Sequence, residues 1–359
     1  MNSGWTCKPL SRPPAITLRT QQKERRTLSI QGTYYRSIAA LAGRLDPGGL
    51  ERLAAILASV RFATNGRQNR IYLGHLERVF PELDRSGLRR ILKGYWRVHQ
   101  RAFLGLFYSR RFTKSSLPEL VVLENREVLD RAVSSGRGVL LLVPHFGDER
   151  SLHILLAIMG YPMHVISSRY SGAPSSLREA RLSVSRRWHH VAFPDQPVGW
   201  LYKAIERGEV VQISPTAYGG PRGHWVSSFG VPVLASSTPV RIARSTGCRL
   251  VVASNRVLPG LRYSIDFQEF GPDSLDARGT GQLFSLYRRL GEEYPEQYNW
   301  MNLVIRHRES NTIARLGYIP QDESTLEKEA APSDWDPRLV QDPYTLSSVS
   351  SGAASALPG

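Results

Sequence analysis

His145 closes a run of branched apolar residues, Gly138-Val-Leu-Leu-Leu-Val-Pro-His-Phe-Gly147, and Asp148, Glu149 and Arg150 follow at once. Branched apolar residues in an unbroken run form a strand buried on both faces, the usual state of a strand in a parallel sheet. Such a strand delivers whatever follows it to the carboxyl edge of the sheet, where open α/β folds bind ligands and do chemistry. An imidazole at that edge, with carboxylates three and four residues further on, is equipped to take a proton from an alcohol or amine. His145 is therefore the candidate general base. Glu149 and Asp148 are the candidate acids that orient it, and Glu149 shares a helical face with His145 if the helix begins early enough.

The surrounding pattern supplies elements that can hold these groups. From about Tyr34 to Tyr108 the periodicity is helical: Leu50, Leu53, Ala54, Ile56 and Leu57 fall on one face, and Leu88, Ile91, Leu92, Tyr95 and Trp96 on another. Beyond Leu120, strands and helices alternate. The predicted strands are 138–143, 163–167, 190–193, 210–214, 249–254 and 263–267, with helices near 151–159, 177–185, 199–207, 238–246 and 281–294. This alternation predicts an α/β fold: a mixed, mainly parallel sheet with helices on both faces and an N-terminal helical segment. Three regions follow: a flexible basic arm over 1–27, an α/β domain over 28–317 and a disordered acidic tail over 318–359.

Charge narrows the choice of partner. The 359 residues carry a formal net charge of +16. The arm contributes +5 and the tail −5, so the body between them holds the whole excess. A basic body predicts an anionic partner, and an anionic membrane surface is preferred over nucleic acid because no nucleic-acid module is recognisable. No stretch is apolar enough to span a bilayer, so the expected attachment is peripheral. Cys7 and Cys248 lie in unlike contexts, with no metal-ligand spacing and no disulfide expected, which fits a reducing compartment. His145, Glu149 and His153 recur at four-residue intervals, yet nothing completes a metal site, and no metal is expected. No Gly-x-Ser-x-Gly elbow or Walker loop is present.

Several segments in order resemble the lipid A late acyltransferase branch of the lysophospholipid acyltransferase superfamily. They are Arg70-Ile-Tyr-Leu-Gly-His-Leu-Glu-Arg-Val-Phe-Pro81, Val143-Pro-His-Phe-Gly147, Ile166-Ser-Ser-Arg169 and Gly208-Glu-Val-Val211. Further along come Ser228-Phe-Gly-Val-Pro-Val233, Pro239-Val-Arg-Ile-Ala-Arg-Ser-Thr-Gly247, Tyr294-Pro-Glu-Gln-Tyr-Asn-Trp-Met301 and Arg306. The resemblance spans roughly residues 34–310. It implies transfer of a fatty acyl group from an acyl carrier protein or coenzyme A thioester to a hydroxyl of a glycolipid or phospholipid. No cofactor is implied beyond the thioester co-substrate, and the implied location is the cytoplasmic face of the inner membrane.

The chain departs from the family pattern where it matters. The acid that usually stands five positions after the histidine is Arg150 here, a group that cannot accept a hydrogen bond; a local shift would let Glu149, or Asp148, take over. The usual Asp-Gln pair after the Gly-Glu-Val-Val strand reads Thr216-Ala217, and the Phe-Phe-Gly motif reads Ser228-Phe229-Gly230. Arg169, at a strand end on the same sheet edge, matches a family arginine and is a candidate for binding a phosphate or a developing oxyanion; its alternative is a surface cation. Gly219, Gly220 and Arg222 form a loop that could approach a headgroup or serve only as a turn. Phe229 and Gly230 read as a turn lining the pocket. Three functions stay open: an O-acyltransferase on a lipid acceptor, an acyltransferase on a soluble acceptor such as an amine, and an impaired homologue that binds lipid or a partner.

Overall fold

The computed structural model describes residues 37–168 (except 39), 189–193, 199–215, 223–229, 231–271, 275–300 and 302. The basic arm, the acidic tail and the helix expected near 177–185 lie outside the described residues.

After helical residues at 37–38 and 40–42, three helices follow: α1 (Pro47–Thr64), α2 (Gly66–Val79) and α3 (Arg85–Tyr108). Their starts follow from local chemistry. Asp46 and Asp84 each accept the backbone N–H three residues on, at 2.8 Å, and Pro47 sits where its missing N–H costs nothing. The predicted α3 face is buried as expected at Leu88, Leu92, Tyr95 and Trp96. On α1 the prediction needs correction at Ile56. Leu50 and Ala54 are buried, but Ile56 is 61% exposed, because it projects from the opposite side of the helix.

A short helix α4 (Leu117–Leu120) leads into β1 (Val121–Glu124) and α5 (Arg126–Ser134). Then come β2 (Val139–Leu142), α6 (Glu149–Met159), β3 (Met163–Ser168), β4 (His189–Phe193), α7 (Gly199–Glu206) and β5 (Val210–Ile213). The hairpin β6 (Gly223–Ser228) and β7 (Val231–Ser236) precedes α8 (Thr238–Thr246), β8 (Arg249–Leu258), β9 (Arg262–Glu269) and α9 (Ala277–Glu293).

Among the described residues the main sheet has seven strands in the order β1-β9-β8-β2-β5-β3-β4. Every neighbouring pair is parallel except β8 with β9, which a tight turn joins as a hairpin. The fold is thus α/β with a mixed, mainly parallel sheet. β2 lies near the middle, with Leu142 level with Val252 of β8 and Ile213 of β5. Its side chains alternate between two cores. Val139, Leu141 and Val143 pack on the side of α1, α3, α5 and α6, while Leu140 and Leu142 pack against α7, α8 and α9. Two covered faces explain why β2 reads as an unbroken apolar run. A third cluster, rich in aromatic residues, joins α2 and α3 to Phe146, Phe229, Tyr298 and Trp300.

Candidate active site

His145 stands three residues past the end of β2, and its loop is pinned on both flanks. Its carbonyl accepts the Asn299 N–H at 3.0 Å, the Gly147 N–H donates to the Gln297 carbonyl at 2.8 Å, and the Asp148 N–H donates to the Asn255 carbonyl at 3.1 Å. Gln297 is itself tied to the end of β8, accepting from the Val257 N–H at 2.8 Å. Gly147 allows this crowding. Its φ is +58°, and a Cβ there would overlap the Asn255 carbonyl oxygen. The Tyr294-to-Trp300 segment therefore acts as the latch that fixes the histidine loop, a role its sequence did not disclose.

Helix α6 starts at Glu149, two residues before the sequence reading placed it. Its cap is Asp148, whose Oδ1 accepts the Ser151 N–H at 3.1 Å and whose Oδ2 accepts the Ser151 hydroxyl at 2.6 Å. The cap turns Asp148 inward, where it is fully buried, and no ion pair joins it to His145 among the described residues. Burial pushes the Asp148 carboxyl up to about 6, against the pull of Ser151.

Glu149, by contrast, faces the imidazole: its Oε1 lies 3.6 Å from His145 Nδ1. That is longer than a hydrogen bond but within ion-pair reach, as unliganded catalytic pairs often are. Burial works to raise the Glu149 carboxyl, yet His145 and Arg150 beside it outweigh burial and hold it at about 2, so it is ionised at neutral pH. His145 and Glu149 keep 23% and 19% of their side-chain surface, enough for a substrate to reach them.

Beside Glu149 a small cleft opens against α3. Tyr95, Val98, His99 and Ala102 line it from α3, facing Gly147, Glu149, Arg150, Gln297 and Asn299. His99 was not singled out from the sequence. Its ring packs 5.9 Å from Tyr95 and 6.0 Å from Trp96, and burial, then the Arg150 cation, push its imidazole down to about 3. It is therefore neutral at pH 7.

The remaining predicted site residues divide cleanly. Phe229 forms the β6–β7 turn with φ +54° and packs 4.8 Å from Tyr298 and 5.1 Å from Trp300, inside the aromatic cluster and not in the cleft beside Glu149. Arg169, Gly219, Gly220, Arg222 and Gly230 lie outside the described residues, as do Thr216 and Ala217.

A buried parallel strand thus delivers a histidine to the sheet edge, with an acid at the first position of the next helix and Arg150 where the resemblance would put that acid. The family of bacterial lipid A biosynthesis acyltransferases matches residues 21–266, well over half of the chain. The chain belongs to that family. Its membership carries acyltransferase activity directed to a lipid acceptor, in lipid biosynthesis. No curated protein matches the chain. Among the described residues, no helix is long and apolar enough to cross a membrane.

Proposed function

We propose that this acyltransferase moves a fatty acyl group from an acyl carrier protein or coenzyme A thioester to a hydroxyl of a glycolipid or phospholipid. The observation that carries the reading is the 3.6 Å approach of Glu149 Oε1 to His145 Nδ1. A carboxylate at Nδ1 favours the tautomer with the proton on that nitrogen, leaving the Nε2 lone pair free. Nε2 takes the proton of the acceptor hydroxyl as its oxygen attacks the thioester carbonyl. The tetrahedral intermediate then collapses, the C–S bond breaks, and the imidazolium returns its proton to the departing thiolate. Each turnover yields one ester and one free thiol, with no cofactor. Arg169 is our candidate for stabilising the oxyanion, with Gly220, Arg222 and Gly230 as candidate contacts to the acceptor.

The partner surface we propose is anionic lipid at the cytoplasmic face of the inner membrane, met peripherally. Supporting it, α3 carries six cations and no acid, and Arg85, Arg89, Arg90, Lys93 and Arg97 are exposed. Arg89 and Lys93 sit over the Phe62 ring of α1, at 5.6 and 5.4 Å, and the outward face of that helix shows Ile56 and Val60. A basic rim beside exposed apolar side chains suits a headgroup layer. The case for an impaired homologue came from Arg150 and from the Thr216-Ala217 replacement; a carboxylate supplied by Glu149 answers the first, and the second lies outside the described residues. The test is thiol release from acyl thioesters with lipid acceptors present: turnover that His145→Ala abolishes supports the reading, and wild-type turnover persisting in that variant refutes it.

A further inference from the structure

Arg150 stands where the resemblance would put the acid, and its geometry gives it a different task. Glu149 Oε1 lies 3.6 Å from His145 Nδ1 and 3.8 Å from Arg150 Nε, so a single carboxylate oxygen stands between an imidazole and a guanidinium. Arg150 and Glu149 both line the cleft against α3, whereas His145 does not. Arg150 keeps 26% of its side-chain surface, and Glu149 is the one acid it pairs with among the described residues.

We propose that Arg150 is a positioning residue for the His145–Glu149 pair, anchoring the Glu149 carboxylate so that Oε1 stays turned to His145 Nδ1. This rests on the reading of His145 as the general base. A lone glutamate side chain swings about three torsions; an ion pair on the oxygen that meets the imidazole removes that freedom. The charged and titratable groups around Glu149 are few. His145 comes from the β2 loop, Asp148 from the cap of α6, Arg150 from its first turn and His99 from α3, with Arg61 of α1 also acting on His99. Asp148 is committed to Ser151. His99, held neutral in part by Arg150, does not compete for the Glu149 charge. Among the described residues, His145 is left as the one imidazole that Glu149 can orient.

The experiment uses the full-length chain with nitrogen-15 histidine. Two-bond proton–nitrogen spectra read the His145 tautomer directly, with or without turnover. We expect the Nδ1–H form to dominate in the wild type and in Arg150→Lys, and to give way to a mixture in both Glu149→Gln and Arg150→Gln. With an active thioester substrate, Arg150→Gln should lower kcat about tenfold with KM nearly unchanged. Arg150→Lys should recover most of that loss, and Arg150→Gln should add nothing in a Glu149→Gln background. An unchanged His145 tautomer in Arg150→Gln overturns the proposal. So does a rise in KM that persists in the Glu149→Gln background, which would mark Arg150 as a substrate contact. Full activity in His145→Ala instead sinks the underlying assignment of the base, a result distinct from either.

Discussion

Replacing Asp148 with asparagine isolates a carboxyl whose burial has a direct thermodynamic signature. Asp148 caps α6 with no exposed surface, and burial lifts its pKa from the ordinary 3.8 to about 6. Between those values the folded protein holds a proton that the unfolded chain has released, so stability falls as pH rises through that window. At 1.36 kcal/mol per pKa unit, the loss totals about 3 kcal/mol, of which about 2 kcal/mol falls above pH 4.5. Glu149 acts with the opposite sign and in a lower range. Its pKa is depressed from 4.5 to about 2, so its contribution is complete above 4.5 and is lost as pH falls through 2. His99, depressed from 6.5 to about 3, contributes with the opposite slope up to pH 6.5, so the difference between variant and wild type, in which His99 cancels, is what reports Asp148 from pH 4.5 to 7. Asparagine retains the cap, since its oxygen accepts the Ser151 N–H and its amide can donate to the Ser151 hydroxyl. Urea unfolding of both proteins at several pH values should show Asp148→Asn gaining about 2 kcal/mol on the wild type between pH 4.5 and 7. A difference that stays flat across that interval would refute the burial argument and return Asp148 to the list of partners for His145.

Further outcomes follow from the same geometry. Glu149→Gln should lower kcat about a hundredfold in a thioester assay while leaving the fold intact, the loss expected when a general base loses its orienting acid. Gly147→Ala meets both an unfavourable φ of +58° and the Asn255 carbonyl; it should cost about 2 kcal/mol in thermal unfolding and displace the histidine loop enough to remove activity. Changing Arg85, Arg89, Lys93 and Arg97 together to Gln should weaken flotation with anionic vesicles by roughly three orders of magnitude at low salt, at about 1 kcal/mol for each cation. The wild type should release from those vesicles as salt rises, and binding that ignores both salt and the substitutions would rule out α3 as the contact.

The sheet was legible where sequence and burial speak the same language. β2 reads as continuous apolar residues because both of its faces are covered, and the strands beginning near Met163, Val210, Arg249 and Arg262 were found for related reasons. β1 was missed because it is a short edge strand whose Val122 stays 41% exposed, which leaves a weak periodic signal. The turn at Phe229 and Gly230 was read, but the strands β6 and β7 on either side of it were not. Ile56 shows the converse error: hydropathy alone placed it on the buried face of α1, and only helix packing decides which side is covered. At the site, His145 and Glu149 were recoverable from spacing. Three things were not. Asp148 turns inward only because α6 begins one residue after it; His99 arrives from 46 residues upstream by the packing of α3 on α6; and the latch from Gln297 and Asn299 depends on a chain segment far away in sequence.

The central claim is that His145, oriented by Glu149, drives acyl transfer. The most direct test supplies a long-chain acyl thioester and a phospholipid or glycolipid acceptor and follows free thiol and acylated lipid together. The account predicts equal amounts of both products from the wild type and neither, above background, from His145→Ala in a folded protein. Acylated lipid formed at the wild-type rate by His145→Ala would contradict it.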